Sequence, residues 1–366
     1  MIDNLMKSVL GRLGLTQVRH VVPVRPRVAR DLVGQVYEQL ARDFGILAPP
    51  VVLHSPSPEP LAACWLMLRE TLIVPGRAGR AAKEAVATAV SLGNTCPFCV
   101  TIHSTTLTGL AGTADATALA EEHPASMADS GLRAVAQWAV ACRTAAGAAG
   151  YQPACPPGQA PELIGTVFLL HYLNRMVNVF LGEVPLPPGV PRMALGPVMG
   201  VISGLVRTAG DGLGPAGASL DLLPGAALPA DMSWASANPV IADALARACA
   251  AIESAASRSV PEPIREVVLA ELANWRGEPR GLSRAWAESA ISGLSSGHQE
   301  AGRLALLTAL ASYQVGQSDI DAFRHGQPGD ASLVELTSWA SLAAARRAAS
   351  WIPVAVAEAP VGPIPA

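Results

Sequence analysis

A chain of 366 residues, half of them hydrophobic, has apolar material for one large core or two of ordinary size, and its net charge of −3 gives no basic patch for nucleic acid. Only 4% of residues are aromatic, so the core is to be built mainly from Ala, Val and Leu, with Ala-rich runs of high helix propensity. The mean hydropathy of +0.33 raises the question of a membrane. Arg192 and Pro197 interrupt the apolar stretch 185–206, and no run reads as a clean span of about 20 apolar residues. Asp3, Lys7 and Arg12 spoil any signal-peptide layout at the N-terminus. The expectation is a soluble, cytoplasmic protein with no membrane partner. Six cysteines, only two of them close together, do not make a secreted disulfide framework.

In chain order, residues 1–27 read as an arm ending in Pro23, Pro26 and Arg27, with one short helix. Val28, Leu32, Val36, Leu40 and Phe44 recur every four positions and predict an amphipathic helix over 28–44. Ser57-Pro58 reads as an N-cap followed by an N1 proline, opening a helix to about Ile73 that Pro75-Gly76 stops. A helix from about Gly79 to Leu92 carries Lys83 and Glu84 and ends at Gly93. Another follows at once to about Gly112, with further helices over 129–147 and 160–182 around a loop, 150–159, that holds Cys155. No alternating strand pattern occurs in this half, and the class is all-α.

From 185 to 237 Pro, Gly and small apolar residues dominate, which reads as a long connection with a short helix around 196–207. Asn238-Pro239 then opens an Ala-rich helix to about Ser257, four further helical segments follow, and 353–366 is an extended Pro-rich tail. The second half echoes the first in order. Ile264-Arg265-Glu266 matches Ala82-Lys83-Glu84, Ile291-Ser292-Gly293-Leu294 matches Leu107-Thr108-Gly109-Leu110, and Arg303 to Leu310 resembles Leu132 to Val140. Arg346 falls where Arg175 does. The expected organisation is therefore an arm (1–27), a first helical lobe (28–184), a connection (185–237), a second, degenerate lobe (238–352) and the tail. Between Glu266 and Gly297 the second lobe has neither Cys nor His.

The chemistry concentrates in Asn94-Thr95-Cys96-Pro97-Phe98-Cys99-Val100-Thr101-Ile102-His103. With Thr95 or Asn94 as cap and Pro97 in the first turn, Cys96 lies beside Cys99, and Cys99 beside His103, because residues three and four apart share a helical face. A helix N-terminus favours a thiolate, and a nearby imidazole can exchange its proton. Glu84, 12 positions before Cys96, folds back toward the thiols if the two helices pack antiparallel across the tight turn. This is a layout for thiol redox chemistry.

The pattern Glu84-(x11)-Cys96-x-x-Cys99-x-x-x-His103 resembles the AhpD-like alkylhydroperoxidase family of the carboxymuconolactone decarboxylase superfamily. His171-Tyr172-Leu173-Asn174-Arg175-Met176 extends the likeness, and the arm Val18-Arg19-His20-Val21-Val22-Pro23 is similar to that of long actinobacterial members. The resemblance covers residues 18–182 well and the rest only through the faint repeat. It implies an AhpD-like helical fold and a thiol peroxidase that uses neither cofactor nor metal. By that likeness Cys99 is the peroxidatic thiolate, Cys96 resolves its sulfenic acid as a disulfide, and Glu84 with His103 relays protons. The i+4 spacing from His103 agrees with Cys99 as the activated thiol. The implied partners are a peroxide substrate and a dithiol donor, either lipoyl-bearing or thioredoxin-like. Trimers or hexamers are the implied assemblies, and a doubled chain makes a trimer the natural one. One departure stands out: the peroxidase members carry a histidine between the cysteines where this chain has Phe98.

Other readings stand beside this one. A zinc site on Cys96, Cys99, His103 and Glu84 lacks the second clustered pair such sites use. A redox sensor or general disulfide oxidoreductase with little turnover is the functional alternative. A thioredoxin fold is rejected, because there the CxxC follows a buried strand and here it follows an Ala-rich helix. Cys64, Cys142, Cys155 and Cys249 read as core or loop residues, His171 as a satisfied core histidine, and Asn174 with Arg175 as structural. Glu84 itself has a scaffold reading, since Arg265-Glu266 keeps the pair without the thiols.

Overall fold

The Ala- and Leu-rich segments fold as helices throughout the described residues of the computed structural model, which are 15–151, 157–182, 213–327 and 329–353. Among these residues there is no β-strand, and the fold is all-α. The calls on a short helix at 196–207 and on the Pro-rich tail beyond residue 353 lie outside the described residues.

Helix α1 spans Asp31–Gln39 and continues as a π-helical turn, Leu40–Phe44. Ser57 and Pro58 begin α2, Pro58–Leu68, which also widens into a π-turn at Arg69–Ile73. That second π-turn holds Arg69 fully buried between Asp43 and Glu70, where it also donates to the Gly214 and Pro215 carbonyls and so fastens the connection to the first lobe. Next come α3, Arg80–Gly93; α4, Pro97–Ala111; α5, Thr113–Ala120; α6, Ser130–Ala141; and α7, Ala160–Phe180. The helix expected over 129–147 breaks at Cys142, because Thr144 caps a separate turn, Ala145–Gly150, by accepting from the Gly147 amide. The segment α5 was not anticipated; Gly112, at φ 92°, ends α4 and lets it turn off.

The remaining helices are α8, Pro239–Ala256, capped by the Asn238 side chain; α9, Glu262–Asn274; α10, Ala285–Ile291; α11, Ser296–Ala311; α12, Gln317–Gly326; and α13, Asp330–Ser350. Among the described residues five α-helices thus follow α8, with a 3-10 turn at Ser312–Gln314 between α11 and α12, where four helical segments were expected, because the polar stretches at 275–284 and 312–316 split the apolar pattern once more than its periodicity suggests.

Helix α7 is the axis of the core. Val167, Phe168, Leu169, Leu170 and Tyr172 have no exposed surface at all, and burying each such side chain is worth roughly 1.5–3 kcal/mol. Contrary to the expectation that no run is apolar enough to span, α7 could cross a membrane by length and composition, but 94% of its apolar window is buried inside the protein. It packs along α13, while α2 packs along α8. A small residue also lets α7 approach the π-turn Arg69–Ile73: a Cβ on Gly165 would lie 2.9 Å from the Thr71 methyl.

Polar ties also join the halves. The buried Glu335 of α13 accepts from Ser57, which precedes α2, at 3.0 Å and from Ser259, and it pairs with Arg258 at 2.6 Å. Tyr172 reaches Ser338 at 3.2 Å, and Trp351 donates to the Cys142 carbonyl at 3.1 Å.

Candidate active site

The local sequence makes α3 and α4 an antiparallel pair joined by Asn94, Thr95 and Cys96. The Asn94 amide closes on the Val90 carbonyl and the Cys96 amide on that of Ser91, both at 3.0 Å. Thr95 takes the left-handed conformation, φ 51°, to complete so short a reversal. The N-cap of α4 is Cys96, not Asn94 or Thr95: its carbonyl accepts from Val100 and Pro97 is the first helical residue. Asn94 instead closes the end of α3, which frees its side chain for a different use.

Cys96 and Cys99 approach each other to 3.0 Å and are not bonded. They are 1% and 3% exposed. Phe98 is buried beside them and belongs to the hydrophobic core, an apolar wall on the inner side of the motif. Burial pushes the Cys99 thiol well above its ordinary range, the adjacent Cys96 adds to the rise, and the polar side chain of Asn174 works against it. The helix N-terminus and the imidazole alone therefore do not give the low thiol pKa that the i, i+4 spacing suggests. Desolvation outweighs them in this closed arrangement.

Glu84 has no exposed surface. Its Oε1 accepts from Arg80 Nε, and its Oε2 meets His103 Nδ1, each at 2.7 Å. Burial alone would raise this carboxyl, but Arg80 and His103 together outweigh it and hold Glu84 below its ordinary value. An ionised carboxylate only accepts, so Nδ1 of His103 carries the proton and Nε2 is left to exchange one. Arg80 was missed in the sequence; its signal was the i, i+4 spacing to Glu84.

Around the turn lies a polar cluster contributed by α7. Asn174 sits between Asn94 (2.9 Å) and Ser91 (3.1 Å). Asn178 bridges the Asn94 carbonyl (3.2 Å) and Ser312 (3.0 Å) of the second half. Arg175 is buried and, among the described residues, has no carboxylate partner; it donates to the carbonyls of Ala309 (2.8 Å) and His171 (2.7 Å), and burial brings its pKa down to about 9. Burial and the Arg175 charge hold the His171 ring well below its ordinary range, so it stays neutral and accepts from Arg175 through Nδ1 at 3.2 Å. Cys64, Cys142 and Cys249 are buried elsewhere in the core, and Cys155 lies outside the described residues. Among the described residues no group of three or more His, Cys, Asp and Glu side chains is set to hold a metal ion.

A paired thiol motif at the head of a helix, with a carboxylate–imidazole pair against it in an all-helical fold, defines a thiol oxidoreductase class. No protein-family model matches the chain. It is similar to the alkyl hydroperoxide reductase of Mycobacterium tuberculosis (strain ATCC 25618 / H37Rv), with 37% identity over 339 residues that cover 92% of this chain and 95% of the relative. The chain belongs to the AhpD-like alkylhydroperoxidase family, as the CxxC pattern and its flanking residues implied.

Proposed function

We propose that the protein reduces hydroperoxides by cycling the Cys96–Cys99 pair between dithiol and disulfide. The observation that carries this is the approach of the two sulfurs to 3.0 Å beside the buried Glu84–His103 pair. The Cys99 thiolate attacks the terminal peroxide oxygen. An S–O bond forms, the O–O bond breaks, and the alkoxide leaves as the alcohol after taking a proton. Glu84 and His103 supply and recover that proton, with water as the link. The Cys96 thiolate then attacks the sulfenic sulfur, a disulfide forms and water departs. An external dithiol, lipoyl-bearing or thioredoxin-like, restores the pair by exchange and leaves as its own disulfide.

The name of the mycobacterial relative and the family membership support this reading of the activity. We assign it to the cytoplasm, where thiols are kept reduced. We further propose that the halves are diverged copies and that the chain forms homo-oligomers, trimers in the first instance. The packing of α7 along α13 supports the copies, since the internal echo sets Arg175 of the one against Arg346 of the other. A sensor or disulfide-exchange role with little turnover is the second reading, and the near-complete burial of both thiols favours it. Peroxide consumption, assayed with lipoyl and thioredoxin-type donors, decides between them. Many turnovers per chain are expected; a single stoichiometric oxidation sinks the peroxidase reading.

A further inference from the structure

Three Lys or Arg side chains are buried among the described residues, and two of them have an acid beside them. Arg69 lies between Asp43 and Glu70, and Lys83 pairs with Glu162 at 3.1 Å. Arg175, 4% exposed, has no acid partner among the described residues. Its Nε donates to the Ala309 carbonyl, in the last turn of α11, where the partial negative charge of the helix end helps to hold it. Its Nη1 is shared among the His171 carbonyl, the His171 ring and Asn94 Oδ1. The second half thus seats the cation, and the Trp275 ring adds to the seat with its centroid 5.7 Å from the guanidinium. Burial strips a charge of its water, and protein interiors ordinarily answer with a counter-charge. Even the echoed Arg346, far less buried, keeps one in Asp231, at 2.7 Å.

The remaining nitrogen of Arg175, Nη2, has no hydrogen-bond partner among the described residues, yet it is not one of the polar atoms sealed away without one. The space left to it is a small cavity that Arg175 lines together with Asn94, Thr95, Trp275, Glu278 and Tyr313. The cavity measures about 50 Å³. A water molecule needs roughly 10–15 Å³ of such space, so about three or four water-sized groups fit, which is the size of a carboxylate head. Glu278 is the one acid of the lining. It is exposed, its Oε2 accepts from the Arg276 amide at 3.0 Å, and it makes no ion pair with Arg175.

The same cavity touches the reaction site through the backbone. Thr95 is exposed in the α3–α4 turn and directly precedes Cys96, so their Cα atoms lie about 3.8 Å apart. A guanidinium binds a carboxylate through charge-assisted hydrogen bonds, the strongest kind available to it. At this place such a bond would anchor one end of a molecule while its other end meets the thiols.

We propose that this cavity is a carboxylate-binding subsite of the dithiol centre, in which Arg175 takes the anion through Nη2. The carboxylate is carried by the hydroperoxide or by the dithiol donor, and the chemistry of the subsite is the same for both. The inference rests on the peroxidase reading only for which molecule enters; the cavity and its cation stand apart from it.

Acetate is the probe of the subsite itself, titrated at constant ionic strength into the full-length chain and read as melting temperature. A ligand that binds only the folded state raises that temperature as its concentration passes the Kd. The expected result is a rise that equal chloride does not give and that Arg175→Gln abolishes. No rise, or the same rise in Arg175→Gln, overturns the proposal. Should Arg175→Gln not fold, Thr95→Asp and Thr95→Asn take its place, since both residues tolerate the left-handed conformation found there. Asp sets a competing carboxylate at the cavity wall and should suppress the acetate effect, whereas Asn should keep it; equal effects overturn the proposal. Turnover then identifies the carrier. Dihydrolipoate against dihydrolipoamide varies the carboxylate of the donor, and linoleic acid hydroperoxide against its methyl ester varies that of the peroxide. In one pair the acid should have a kcat/KM higher by about tenfold to a hundredfold, the usual worth of a hydrogen bond to a charged group, and Arg175→Gln should bring the pair to parity. Parity in both pairs with an active enzyme overturns the subsite. Absence of turnover in every combination sinks the peroxidase reading instead, and the acetate titration alone then judges the cavity.

Discussion

Glu84 in the first half and Glu266 in the second occupy the same place in the internal echo, yet they meet opposite surroundings. Glu84 has no exposed surface and is held by Arg80 and His103, whereas Glu266 lies exposed on α9. The arginines that the echo pairs differ in the same way. Arg175 is buried with carbonyls as partners, while Arg346 forms a part-exposed ion pair with Asp231 at 2.7 Å. Even the Arg265 beside Glu266 turns away to Glu253, at 2.8 Å. Burying a charge costs several kcal/mol unless it is paired and hydrogen-bonded. At these echoed positions the first half has kept buried charges together with their partners, whereas Glu266 and Arg346 of the second reach the solvent. Shared helical order therefore says little about shared chemistry; the environment of the carboxylate separates the halves.

The largest effect should come from removing the second half. Expressed alone, residues 1–184 are expected to be poorly soluble, because α7 and α2 would expose the faces now covered by α13 and α8. A stable, monomeric, fully active fragment would break the view that the second half is kept for burial and for seating Arg175. Next, Cys99→Ser is expected to abolish peroxide reactivity, and Cys96→Ser to leave a sulfenic acid that a dimedone-type probe traps on Cys99. Probe addition to Cys96 in the Cys99→Ser protein, as fast as the unsubstituted chain reacts, reverses the two roles.

Replacing Glu84 or His103 by Gln should slow turnover by about 10²–10⁴-fold, the usual worth of general acid–base help. Glu266→Gln, on the surface, should leave kcat/KM unchanged, and equal losses at 84 and 266 would erase the contrast between the halves. Glu84 also carries a pH signature. Its folded pKa lies below its ordinary value of 4.5, so it contributes stability that is fully present above pH 4.5 and is lost as pH falls through the lower folded value. Melting curves of the unsubstituted chain and of Glu84→Gln should accordingly converge in acid. The smallest effect is expected for Arg346→Ala. Its pair with Asp231 is about a third exposed on both sides, and such pairs are worth about 0–1 kcal/mol in chemical denaturation. A loss above that range would mean that Arg346 has a role beyond its surface pair.

What the linear chain settled by itself was local. Caps and prolines mark the starts of α2 and α8 at Ser57-Pro58 and Asn238-Pro239, and Gly93 marks the end of α3, because these depend on backbone conformation within a few residues. Cys96, Cys99, His103 and Glu84 could be gathered in the same way, from i+3 and i+4 spacing and one tight turn. The break at Cys142 and the separate α5 escaped, since each depends on a single cap or a left-handed glycine inside a continuous apolar pattern. Only the tertiary structure decided which of these groups lose water. Asn94 and Asn174 stand 80 positions apart and meet because α7 crosses beneath the α3–α4 turn. The rise at Cys99 and the burial of Arg175 against the Ala309 carbonyl likewise come from helices distant in sequence closing over the motif. A residue's hydration, and with it the charge it can carry, depends on everything packed around it, and spacing along one helix does not contain that information.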